Sequence, residues 1–206
     1  MSLTAALLLA TSTPLAVQDV ADQPYPLDAV LQAFATACAT VEDPAVNIAA
    51  VKAGGWEAYT PESDTIMGRI IAFGRNAVEN ETLAEGEEPT EILDNGVYRQ
   101  EVAGRSLHLV LSGAKVGTVT TTGCRLYDFE ATIEPEATAL ERWARRAPDA
   151  ETRPIENMAV WTWNGGMKPG HFDMQIYFVQ PGATLPGNLP ITGLVLTASS
   201  MEIEGL

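Results

Sequence analysis

From Pro24-Tyr25-Pro26 onward, the apolar positions first follow a helical period. Leu27, Leu31, Phe34 and Cys38 recur at i, i+4, i+7 and i+11, which predicts a first helix with Cys38 on its buried stripe. Asp43-Pro44 predicts a second helix, because Asp43 can accept from the free N–H groups of the first turn and Pro44 suits that turn. Gly54-Gly55 stops it, and Trp56 is expected to fold back as a lid on the helix pair. Thr60-Pro61 repeats the cap-then-proline signal, and Ile66, Ile70, Phe73 and Ala77 form the stripe of a third helix, weakened at Gly74.

After an acidic stretch over residues 79–91 the period changes to two. Asp94-Asn95-Gly96 signals a tight turn between short strands, and Val97 to Val102 is the first strand after it. Ala103-Gly104 turns the chain into Ser106 to Ser112, where Leu107, Leu109 and Leu111 share one face and His108 and Val110 the other. Gly113 to Gly117 predicts the next turn. Val119 to Ala131 then forms a long strand with Cys124 and Leu126 on one face and Arg125, Tyr127 and Phe129 on the other. Pro135 opens a fourth helix with Leu140, Trp143 and Ala147 on its stripe, ended by Pro148. A polar link from Asp149 to Glu156 leads to three further strands: Met158 to Trp163, Phe172 to Gln180 and Ile191 to Ser199.

Helices and strands that do not alternate imply an α+β fold, with N-terminal helices and one later helix packed on one face of a mostly antiparallel sheet of six to seven strands. The strand groups on either side of the 135–147 helix suggest a duplication, although no residue-level repeat supports it. Residues 18–206 are expected to form a single domain, and residues 1–17 a signal peptide or an apolar N-terminal segment. The apolar run at Met1 to Ala10 has the length of a secretory h-region, and Ala10 and Ser12 have the small-residue spacing of a cleavage site, although no Lys or Arg precedes the run.

Composition sharpens this picture. Acids outnumber bases by 27 to 12 and the net charge is −15, which disfavours nucleic acid and anionic lipid as partners. No apolar stretch is long enough to span a membrane. The two cysteines match no zinc pattern, and in an exported chain they are expected to form a Cys38–Cys124 disulfide across one helix–sheet interface. Periplasmic or secreted localisation follows as the expectation.

The chemical motifs are sparse. No serine nucleophile elbow, phosphate loop, dinucleotide fingerprint or His-Glu-x-x-His motif occurs, and no cofactor or metal is called for. His171 stands two residues before Asp173, so a carboxylate-oriented general base is conceivable there. Trp161 and Trp163 share one strand face and could stack a sugar or a peptide. Asp128, Glu130 and Glu134 resemble a glycosidase carboxylate set only as far as any acidic chain does, and the glutamates of residues 79–91 lack the calcium-loop pattern. Arg142, Arg145 and Arg146 form the densest basic patch. The sequence therefore favours a non-catalytic binding or interaction module for a protein, peptide or glycan, with Trp161, Trp163 and His171 as candidate ligand-binding residues. The alternative is a hydrolase using His171 with Asp173.

Overall fold

The computed structural model describes residues 24–83 and 86–205; the expected signal peptide at residues 1–17 lies outside them. The first two helices are α1, Leu27–Ala37, and α2, Pro44–Ala53. Asp43 caps α2 by accepting from the Ala45 and Val46 amides, and Trp56 folds back against the helix pair, buried as expected. Strand β1, Glu57–Ala58, precedes helix α3, Ile66–Glu79. The cap of α3 is Thr65 and not Thr60: its Oγ accepts from the Gly68 amide at 3.1 Å and donates to the Glu62 carbonyl at 2.6 Å.

The remaining elements are β2, Glu91–Val102; β3, Arg105–Val116; β4, Val119–Asp128; α4, Ala137–Ala144; β5, Ala150–Ile155; β6, Met158–Asn164; β7, Asp173–Val179; and β8, Gly193–Ile203. The strands form one sheet in the order β1-β2-β3-β4-β8-β7-β6-β5, and every pairing is antiparallel. Each half is a meander, and the last strands of the two halves, β4 and β8, pair at the centre.

The α+β class holds, but the sheet has eight strands where the sequence pattern predicts six to seven. The missed strands are β1, only two residues long, and β5. β5 is an edge strand whose residues are exposed or half-buried, so it has no apolar face to produce an alternation. Two turns also move. Asp94-Asn95-Gly96 does not reverse the chain: Asp94 pairs with Ser112 and Gly96 with Leu111, so one extra residue bulges and Gly96, at φ +118°, absorbs it. Strand β3 runs through Gly113 to Val116, and the reversal waits for Gly117.

The sheet is covered on both faces, not on one. Helices α1, α2 and α4 supply Leu31, Phe34, Val51 and Leu140 to a large core over Leu107, Leu109, Leu126, Ile176 and Leu196. Helix α3 packs on the opposite face, where Met67 and Ile70 meet Val110, Tyr127 and Val195. That contact turns the α3 stripe from its expected position and leaves Phe73 at 43% exposure. Cys38 and Cys124 are fully buried and disulfide-bonded, with Cα atoms 5.5 Å apart, so the bridge ties the end of α1 to the central strand β4. No helix among the described residues is long and apolar enough to cross a membrane.

Candidate functional site

Trp161 and Trp163 do share one face of β6, but it is the helix-covered face. They are 1% and 0% exposed, and Trp163 Nε1 donates to the Arg146 carbonyl at 3.2 Å. Alternation correctly placed both rings together, and core burial keeps both from the solvent side where a ligand would arrive. Arg146, from the expected basic patch, is similarly tied down: it pairs with Asp149 at 3.0 Å and donates to the Asn164 and Gly166 carbonyls.

His171 lies in the glycine-rich turn between β6 and β7. Gly166, at φ +58°, lets the turn close onto it; a Cβ there would stand 2.3 Å from His171 Cβ. The His171 side chain is wholly buried. The Met167 amide donates to Nδ1 at 3.4 Å, so the neutral ring carries its proton on Nε2. Nε2 stands 3.7 Å from Glu42 Oε2 and closes no hydrogen bond of normal geometry among the described residues. Burial depresses the His171 pKa, partly opposed by the Glu42 carboxylate, which itself pairs with Lys168 at 3.0 Å.

Asp173 is not part of this cluster. It begins β7 with its side chain on the other face of the sheet, where it accepts from Ser199 Oγ and, at 3.0 Å, from Gln175 Nε2. The expected His171–Asp173 pair is therefore not formed: His171 belongs to the turn and Asp173 to the strand, and the two side chains diverge across the sheet. Of the carboxylates near the end of β4, Asp128 and Glu130 both face Arg105, Glu130 at 3.8 Å, and Glu134 lies apart from them. Asp128 is fully buried and receives Arg105 through two bonds of 2.8 and 3.0 Å, together with the Tyr25 hydroxyl at 2.8 Å, while Glu134 pairs with Arg153. Burial and the Asp128 charge hold the Tyr25 phenol far above its ordinary pKa. His108 is held in an aromatic cluster, with its Nδ1 2.6 Å from the Tyr59 hydroxyl and its ring beside Phe129.

Besides a concavity of about 300 Å³ against α3, lined by Arg69, Ala72, Phe73, Asn76 and Pro190, two surfaces are open among the described residues. The first is a groove of about 340 Å³ between α1, α2 and β2. Ala29, Ala33, Ala50 and the largely buried Trp56 line it together with Gln100 and Val102 of β2. Beside it, β1 pairs with β2 at Tyr98 and Arg99, and the Tyr59 amide donates to the Val97 carbonyl at 3.0 Å.

The second is the part of the α3-side sheet face that α3 does not reach. Strand register sets Arg125, Thr197, Gln175 and Thr162 in one row across four strands, beginning beside Val110, which α3 covers. The next row is Ser112, Gly123, Ser199, Asp173 and Asn164. Arg125 Nη1 donates to Ser112 Oγ at 2.6 Å across Gly123, where a Cβ would come within 3.2 Å of the guanidinium. Burial raises the Tyr177 phenol; Asp173 reinforces the shift and Arg125 opposes it, so all three side chains share this face.

Comparison with protein-family models, with curated proteins and with solved structures finds no match. The chain's alternation puts Arg125 opposite Cys124, which was enough to place it on this face. The groove had no such signal, because it arises where three separate elements meet and its alanines read as ordinary helix formers.

Proposed function

We propose that the protein is an exported, non-catalytic binding module that takes an apolar side chain of an extended peptide or protein segment into the groove between α1, α2 and β2. The observation that carries this reading is the groove itself: a concavity of about 340 Å³ whose lining is mostly apolar, with Ala29, Ala33, Ala37, Ala50, Trp56 and Val102 in it. That volume is at the low end for ligand sites, which suits one or two anchoring side chains better than a cofactor. The strand edge beside it supports the same reading, since β1 spans only two residues and an extended segment can add main-chain hydrogen bonds to an uncovered edge. The buried disulfide supports residence in an oxidising compartment, periplasmic or extracellular. The net charge of −15 argues against nucleic acid as the partner.

Selection from a phage-displayed random peptide library tests this. Ala33→Trp is the control, because it fills the groove from the half-buried face of α1. The expected result is an enriched set of peptides with a shared apolar anchor that bind wild type and lose about tenfold or more on the variant, the loss of roughly 1.4 kcal/mol. The variant must keep the wild-type circular dichroism spectrum and melting temperature. No enrichment, or peptides that bind a folded Ala33→Trp equally well, would contradict the reading.

A further inference from the structure

We infer that the open part of the α3-side sheet face is a second binding site, for an oligosaccharide that carries one carboxylate among neutral sugars, with Arg125 as the carboxylate receptor. This site is separate from the groove and lies across the sheet from it. Arg125 stands on the central strand β4, and its guanidinium is exposed yet positioned. Ser112 Oγ accepts one N–H at 2.6 Å, and Gly123 leaves room for the group to lie along the sheet. Among the described residues no carboxylate lies within 4.0 Å of it, whereas Arg99, Arg105, Arg146 and Arg153 each have one. A planar guanidinium held this way keeps donors free for a bidentate carboxylate.

The row that runs on from Arg125 consists of Thr197, Gln175 and Thr162, all uncharged hydrogen-bonding side chains on successive strands. Adjacent strands are ~4.8 Å apart, close to the advance of one pyranose in an extended chain, so successive sugars fall over successive strands. Charge complementarity selects the acidic end of the ligand, because Arg125 is the single cation in either row. A densely charged polyanion is disfavoured, because Asp173 lies in the neighbouring row and the molecule as a whole carries a net charge of −15.

Isothermal titration with aldotetraouronic acid, which has one uronate on three xyloses, tests the inference against neutral xylotetraose of the same length. The expected result is binding of the acidic tetrasaccharide, with xylotetraose at least about tenfold weaker. Arg125→Gln should weaken the acidic ligand by a similar factor at an unchanged melting temperature, and Ala33→Trp should leave it unaffected. The last arm separates this site from the peptide groove, since either reading can fail while the other stands. Three outcomes would overturn the inference: no binding of the acidic tetrasaccharide, equal binding of xylotetraose, or equal binding by Arg125→Gln. Inorganic sulfate displacing the sugar at equal concentration would also overturn it, because the site would then recognise an anion without its saccharide.

Discussion

At the scale of single residues, the buried charges and the two histidines set how the protein responds to mutation and pH. Asp128 has no exposed surface and accepts from Arg105, the Tyr25 hydroxyl and the Glu130 amide. Removing one partner of such a pair leaves a charge buried without compensation, which costs ~3–5 kcal/mol. Arg105 keeps 20% of its side-chain surface in water, so Arg105→Met is expected at the low end, about 3 kcal/mol, measured by urea unfolding. A loss below about 1 kcal/mol would mean that water replaces the guanidinium.

The histidines act through linkage. Burial depresses the folded-state pKa of both His171 and His108. Above their unfolded value of about 6.5 both states are neutral and stability is full. As pH falls below that value the unfolded chain takes up protons first, so stability declines until the native histidines also protonate. The urea midpoint should therefore drop between pH 7.5 and pH 5, and His171→Gln should flatten part of that drop. A midpoint that is unchanged or higher at pH 5 would contradict the neutral burial of these rings, once the contribution of carboxylates is matched by the variant.

At the scale of elements, α3 offers a paired test in which local propensity and packing point in opposite directions. Glycine costs a helix interior ~1 kcal/mol relative to alanine. At Gly74 nothing lies within 4 Å of an added Cβ, so Gly74→Ala should stabilise by about that amount. At Gly68 the added Cβ would stand 2.0 Å from the Glu62 carbonyl oxygen, a backbone atom. Gly68→Ala should therefore destabilise despite its better propensity, because the loop that carries the Thr65 cap must move. Thermal melts of the two variants should shift in opposite directions; shifts of the same sign would mean that the loop gives way freely.

This contrast also explains what could be read from the chain. Leu107, Leu109 and Leu111 alternate because one face of β3 is fully buried, and so the strand is visible in the sequence. The β5 residues are buried on neither face, and their polar character hides the strand. Phe73 looked like a core residue by spacing alone, but which face α3 presents depends on Val110, Tyr127 and Val195, which lie far away in the chain. For the same reason His171 and Asp173, two apart in sequence, were expected on one side, while the turn at Gly166 and Gly170 sends them to opposite faces.

At the scale of the whole molecule, the disulfide joins residues 86 positions apart and spans α1 to the centre of the sheet. The chain-entropy model gives ~4–5 kcal/mol for so long a loop, and the stabilisation usually realised is ~2–4 kcal/mol. The double variant Cys38→Ser, Cys124→Ser should therefore melt roughly 5–15 °C lower and remain folded, because the apolar layers on both faces persist. An unchanged melting temperature would show that the helix layer is held without the crosslink.

The groove beside Trp56 lies on the sheet face that α1 and α2 cover, and the proposed function stands on it. Amide chemical-shift mapping of the isotope-labelled protein with a library-selected peptide tests that assignment most directly. The account predicts perturbations concentrated in Ala29–Ala37, Ala50–Trp56 and Gln100–Val102. Perturbations centred on the glycine-rich turn around His171, with those segments unmoved, would contradict it.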